Sequence, residues 1–125
     1  MGAVIQRWTV GEGGFIGEAS LVHMDELEVR IHQRKGRFIC ELTDVYVHPM
    51  RRGKGWARSV VQAAIEHADA EGWDVFLRVV SYGTKSAKGG RRKLAPEELM
   101  AFYGRFGFVS RKAAPRCMVR RWRAS

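Results

Sequence analysis

The chain predicts a mixed α/β (α+β) fold: a mostly antiparallel central sheet that carries one parallel β-α-β unit and a second helix near the C-terminus. Three observations carry that reading. Short apolar runs broken by glycine and basic turns fill the N-terminal third, as in a strand meander. A strand, an amphipathic helix and a second apolar strand then follow between Phe38 and Val80, and such a succession closes as a right-handed crossover with its strands parallel. An aromatic helix opening at Pro96 and two short strands complete the chain. At 125 residues, 46% of them hydrophobic, the sequence is long enough for one real core and is expected to form a single domain over 1–125.

Taken in order, Ala3–Val10 alternates loosely and reads as a first strand, ended by Gly11-Glu12-Gly13-Gly14. Phe15–Met24 fits a strand better than a short helix. Leu27-Glu28-Val29-Arg30-Ile31-His32 alternates apolar and polar residues with period two, which predicts a half-buried strand. Arg34-Lys35-Gly36-Arg37 would then be a hairpin turn, with Phe38 onward returning as far as Val47. From about Lys54 to Glu71 the apolar residues Trp56, Val60, Val61, Ala64, Ile65 and Ala68 recur at helical spacing, while Arg58, Gln62, Glu66 and Asp69 take the other side. Gly72 is a natural stop. Trp73–Val80 is almost continuously apolar, as a central strand should be. Pro96 suits a first helical turn, and Glu97 and Glu98 complement its positive end. That helix carries Leu99, Met100, Phe102, Tyr103 and Phe106 and is expected to stop at Gly107. Phe108-Val109 and Cys117–Trp122 make a closing hairpin, joined by a basic linker that contains Pro115.

Composition narrows the function classes. No apolar run approaches the roughly 20 residues of a membrane span, and no secretory signal is visible, so a cytoplasmic protein without a membrane role is expected. Cys40 and Cys117 share no close-spaced motif and read as buried free thiols rather than as a disulfide or zinc site. His23, His32 and His67 show no ligand spacing, so no metal is expected. The charge is unusual: 22 Lys and Arg against 13 Asp and Glu give +9. Such a balance favours a polyanionic partner, whether a nucleotide cofactor, tRNA or other nucleic acid, or an acidic protein surface.

The most informative stretch is Glu41–Ala57, where a strand through Val45, Tyr46 and Val47 runs past His48-Pro49 into Arg51-Arg52-Gly53-Lys54-Gly55 and then the mouth of a helix. A helix mouth collects unpaired main-chain N–H groups and about half a positive charge. Glycines let an anion approach the backbone, and the cations add full charges, so a phosphate or pyrophosphate is the expected guest. The spacing Arg52-x-x-Gly55-x-Ala57 resembles the Arg/Gln-x-x-Gly-x-Gly/Ala signature of the GNAT superfamily of N-acetyltransferases, with Val45–Pro49 in the place of that family's preceding strand. It is not a Walker loop. A second landmark is Leu99–Phe108, whose Tyr103-x-x-x-Gly107-Phe108 is similar to the family's aromatic helix ending. The resemblance covers Phe38 to Arg120. Two features depart from it. An Asn that many relatives carry ahead of the Tyr falls here at Ala95-Pro96, and the segment Gly11–Glu26 is too short for the two helices that floor the acceptor site in relatives.

The resemblance implies acetyl-CoA as co-substrate, a direct transfer of its acetyl group to a primary amine, and specific site residues. Main-chain groups of Val45, Tyr46 and Val47 would pair with the pantetheine arm, and an N–H near Val47 would polarise the thioester. Arg52, Gly53, Lys54, Gly55, Trp56, Ala57 and Arg58 would hold the pyrophosphate. Tyr103 would bind beside the sulfur and protonate the departing thiolate, as a phenol can. Glu41 and Asp44, on the lead-in strand, are candidates for the base, and alternation places them on opposite faces. The shortened N-terminal half implies an open acceptor groove, suited to a bulky acceptor or to a second copy of the chain that completes its wall. Two other classes compete. One is a basic nucleic-acid-binding module, built from the Arg51–Lys54 turn, the Lys85–Lys93 stretch of the 81–93 loop and Arg120, Arg121 and Arg123. The other is a GNAT-fold protein that binds CoA without catalysis.

Overall fold

The computed structural model describes residues 3–11, 17–47, 55–79, 96–112 and 114–123. Within them the chain runs β1 (Val4–Val10), β2 (Gly17–His23), α1 (Glu26–His32), β3 (Ile39–Val47), α2 (Trp56–Glu71), β4 (Asp74–Arg78), α3 (Pro96–Gly104), β5 (Val109–Arg111) and β6 (Ala114–Arg120). One sheet orders these strands β1-β2-β3-β4-β6-β5. The β3–β4 pair is parallel, joined through α2, and the other pairs are antiparallel.

Each face of the sheet has its own core. On one, Ala19, Leu21, Cys40, Leu42, Val75, Leu77 and Met118 meet Val60, Val61, Ala64, Ile65 and Ala68 of α2, with α3 packed alongside. Burying each of those larger α2 side chains contributes roughly 1.5–3 kcal/mol. On the other face a smaller cluster of Met24, Ile39, Phe76 and Val119 lies under α1, through Val29. The left-handed Gly72 (φ 77°) ends α2 with its N–H on the carbonyls of Ala68 and Asp69, as expected of that glycine.

Leu27–His32, expected as a strand, is helix α1. The Asp25 carboxylate accepts from the Leu27 N–H at 2.8 Å, and Glu26 and Glu28 sit at the positive end of the helix, with Arg30 and His32 at the negative end. An ion pair one turn apart, Glu26–Arg30 at 3.5 Å, and a Glu28–His32 contact at 3.2 Å brace it further. The apolar alternation misled because Leu27 and Ile31 stay exposed, at 66% and 64%; Val29 alone of the three turns to the core. The Arg34–Arg37 turn (Arg37 N–H to Arg34 carbonyl, 3.0 Å) therefore joins a helix to β3 instead of closing a hairpin. At the C-terminus, the expected linker with Pro115 is already part of β6, near its first residue, where a missing N–H is tolerated. Trp122 lies beyond the strand, its N–H held by a side chain and not by a sheet partner.

That side chain is Asp74, fully buried at the start of β4. Its carboxylate accepts from Arg34 Nε (2.9 Å) and Nη2 (2.7 Å), Arg121 Nη1 (3.1 Å) and the Trp122 N–H (2.8 Å). Burial alone would push this carboxyl up, but the bonds from Arg34, Trp122 and Arg121 outweigh it and hold the carboxyl below its ordinary value. The stability Asp74 supplies is therefore present above the ordinary carboxylate value near pH 4 and is lost as pH falls through the depressed folded value. Replacing Asp74 with Ala removes the carboxylate that Arg34, Arg121 and the Trp122 N–H share and should cost about 1–3 kcal/mol, read as a fall in urea midpoint. Asp74→Asn should flatten the acid limb of the stability–pH curve.

Candidate active site

The β3–β4 ladder is short. It pairs Ile39 with Asp74, Cys40 with Val75 and Glu41 with Phe76, and ends there. From Leu42 to Val47 β3 goes on, among the described residues, beside β2 alone, so the two parallel strands part toward their C-terminal ends. A bulge begins the departure: Glu18 faces Tyr46 and Ser20 faces Thr43, leaving an extra residue on β3, and Asp44 takes φ 55°. A bulge bends its strand and shifts the side-chain phase. Val45 accordingly packs into the α2-side core, although unbroken alternation would send it to the opposite face with Ile39, Glu41 and Thr43.

The mouth of α2 lies beyond the end of β3. Gly55 occupies the N-cap with φ 80° and supplies no side-chain cap, and no acidic residue occupies the first turn. The N–H groups of Trp56, Ala57 and Arg58 thus open the helix without a local carboxylate, the condition for receiving an external anion. Arg51, Arg52, Gly53 and Lys54 lie outside the described residues, as do His48 and the 81–93 loop. Tyr103, on α3, is half-buried against the α2-side core, with its ring 5.2 Å from that of Phe102 and 6.0 Å from that of Phe108. Val45, Val79 just past β4, and Tyr103 thus share one cluster.

The two carboxylate candidates reach different surroundings. Asp44 is exposed in the bulge. Glu41 is half-buried on the α1 face of the sheet, where burial, reinforced by Glu28 and opposed by Arg78, raises its pKa above the ordinary value. Arg78 also approaches Glu28 at 3.5 Å. Glu28 holds His32 Nε2 at 3.2 Å. His32 stacks on Phe76 at 4.6 Å between ring centres. Burial lowers the His32 pKa, and Arg111 and Arg121 add to that against the opposing pull of Glu28.

Sequence reasoning missed a groove between α2 and α3. Arg58, Gln62, Phe102, Arg105 and Phe106 enclose about 240 Å³ there. Gln62 follows Arg58 by one helical turn on the exposed side of α2, a signal that was available; nothing in the sequence joined Arg105 to them. Conversely, two arginines assigned to an electropositive face are engaged within the fold. Arg120 binds Asp69 at 2.6 and 3.0 Å and the Phe106 carbonyl at 2.7 Å, and Arg121 binds Asp74 and the His32 carbonyl. Cys40 is buried, with its thiol pushed up to about 12, mainly by burial; Cys117 is only partly buried. Among the described residues no cluster of metal-ligating side chains occurs, and no helix is long and apolar enough to cross a membrane.

A family model, the GNAT acetyltransferase domain, matches residues 6–110. No curated protein sequence matches the chain significantly. Among solved structures, the anti-CRISPR protein AcrVA5 superposes with a TM-score of 0.60 at 13% identity, over 92% of this chain and 98% of its own. A GNAT-family acetyltransferase from Staphylococcus aureus Mu50 gives 0.59 at 14% identity, over 94% of this chain and 68% of its own. The Escherichia coli GNAT-family N-acetyltransferase YhbS, in complex with CoA, gives 0.56 at 20% identity and 90% of this chain. The chain spans only 55% of the length of YhbS. These likenesses agree on the mixed, mostly antiparallel fold.

The left-handed Gly55 supplies a test of how the helix mouth is built. A Cβ there would meet nothing within 4 Å, so only backbone strain opposes a side chain. Gly55→Ala should cost about 1–2 kcal/mol in chemical denaturation. Gly55→Asn should recover part of it, because Asn tolerates this conformation better.

Proposed function

Since the chain belongs to the GNAT acetyltransferase family, whose domain model spans residues 6–110, we propose that it is an acetyl-CoA-dependent N-acetyltransferase acting on a primary amine by direct attack. The observation that carries the reading is the divergence of β3 from β4 beyond Glu41 and Phe76, with the uncapped α2 mouth beyond it. In this reading, main-chain groups of Val45, Tyr46 and Val47 on the open edge of β3 pair with the pantetheine amides. Arg52, Gly53, Lys54, Gly55, Trp56, Ala57 and Arg58 hold the pyrophosphate. The groove between Gln62 and the Phe102–Phe106 pair takes the adenosine, with Arg58 and Arg105 beside its 3′-phosphate.

Glu41 accepts the proton of the incoming ammonium on the α1 face, directly or through water. The amine nitrogen attacks the thioester carbon, the C–S bond breaks as Tyr103 delivers a proton to the leaving thiolate, and the second proton lost from the nitrogen returns through water to the Tyr103 oxygen. Glu41 suits the base role better than Asp44 because burial raises its pKa toward the working range. A purely nucleic-acid-binding module is the weaker reading, since Arg120 and Arg121 are already paired inside the fold.

Two measurements test this. Acetyl-CoA should raise the melting temperature, 3′-dephospho-CoA should do so less, and Arg58→Ala with Arg105→Ala should erase the difference between them; no shift with either ligand defeats the acetyl-CoA reading. With an acceptor found by screening amines, peptides and tRNA for thiol release, wild-type kcat/KM should fall as pH drops through the raised Glu41 value. Glu41→Gln should remove that limb and slow turnover by about a hundredfold or more. Tyr103→Phe should lower kcat with little change in KM, and an unchanged kcat would remove Tyr103 from the chemistry.

A further inference from the structure

A larger groove, of about 620 Å³, follows the β5–β6 margin of the sheet, away from the splayed strands. Arg111, Arg120, Arg121 and Arg123 line it against a single carboxylate, Asp69. Asp69 is bound by both terminal nitrogens of Arg120, and Arg121 is held by Asp74 and the His32 carbonyl. The side chains of Arg111 and Arg123 make no hydrogen bond or ion pair among the described residues. Between these charges lies Val109, at 67% the most exposed large hydrophobic residue among those described. It is in register with the buried Val119. β5 is the last strand of the sheet, and among the described residues it pairs only with β6.

An edge strand offers unpaired main-chain groups to an extended segment. Along this short strand, an apolar contact at Val109 is followed two positions later by a cation at Arg111, past an irregularity in the register between Ser110 and Arg111. We infer that the β5–β6 groove binds an extended acidic segment of a partner protein, which adds to the β5 edge with an apolar side chain on Val109 and carboxylates on Arg111 and Arg123. A second copy of the chain is a poor occupant, because each carries +9 and a two-fold edge pairing would bring the same arginines together. Among the described residues the one aromatic ring lining the groove, Phe106, is already engaged with Phe102 at 5.4 Å, so the groove offers a nucleic acid no row of rings to stack on.

The probe is a fluorescein-labelled peptide of alternating glutamate and valine, followed by anisotropy at low and at physiological salt. The wild-type chain should bind it, and Arg111→Glu with Arg123→Glu should weaken binding about tenfold or more. The charge-matched pair Arg30→Glu with Lys35→Glu, both exposed and elsewhere, should have a much smaller effect. Val109→Lys separates a fitted groove from plain attraction to charge: a fitted groove loses affinity, whereas general attraction gains it. Strengthened binding in Val109→Lys, equal losses in the two charge-reversal pairs, or equal competition by a single-stranded oligonucleotide of the same charge would each overturn the inference. Urea midpoints of the variants confirm that they fold. The outcome does not depend on whether acetyl-CoA binds.

Discussion

The opening of the sheet depends on how firmly β3 and β4 are held together at the opposite end. Asp74 supplies that hold. Its N–H donates to the Phe38 carbonyl at 3.0 Å, while its carboxylate gathers Arg34 from the turn before β3 and Arg121 and Trp122 from the end of the chain. Three segments distant in sequence thus meet at the base of one parallel pair. With that end fixed, the bulge at Asp44 can swing the rest of β3 aside without unzipping the pair. Unpaired main-chain groups are costly when buried without partners. A splayed strand of this kind is therefore best suited to a place where a ligand supplies the missing hydrogen bonds, while β2 stays paired with it on the other side as far as Val47 with Gly17.

The excess positive charge divides into two parts with different purposes. Arg34, Arg120 and Arg121 are construction: each spans a long sequence separation to a carboxylate or carbonyl, and Arg guanidinium suits such forked contacts. Arg37 caps the same end by lying over the Trp122 ring at 4.3 Å. What remains for partners is smaller than +9 suggests and is unevenly placed. Arg58 and Arg105 border the α2–α3 groove, Arg111 and Arg123 the sheet margin. The α1 face near the splay has a different balance, with Glu28 and Glu41 around Arg78. A cation brought to that face would meet carboxylates, whereas an anion would meet arginines in either groove.

Elements whose signals are local were legible in the sequence. The β3–α2–β4 succession followed from one apolar strand, one helical period and Gly72, and the crossover rule then set the strands parallel. Helix α1 failed because three apolar residues at period two outweighed a capping signal that was present: Asp25 with Glu28 three residues later is the acid-x-x-Glu pattern of a helix start. The Asp74 clamp could not be read, since its partners stand 40 and 47 residues away and nothing local marks an aspartate at a strand start as buried. The bulge was equally hidden, because Thr43-Asp44-Val45 looks like ordinary alternation until the β2 register is known. The site divides the same way: the glycine and helix mouth were visible as a motif, whereas the α2–α3 groove is a product of tertiary packing.

The bulge also bears on which carboxylate can serve as base. By strict alternation Glu41 and Asp44 differ only in the face they take. With an extra residue at Asp44, the strand before it stays pressed against β4 and α1, and the strand after it turns outward. Glu41 lies on the pressed side, opposite Phe76 and close enough to Glu28 and Arg78 to feel both charges. A like charge and partial burial make its proton harder to lose, while Arg78 keeps the charged form accessible; that opposition tunes a carboxylate toward the range where a base works. Asp44 sits in solvent on a left-handed backbone, and water screens its neighbours. On the proposed reading, the irregularity that parts the strands for a thioester thus also leaves Glu41 partly desolvated at the point where they separate.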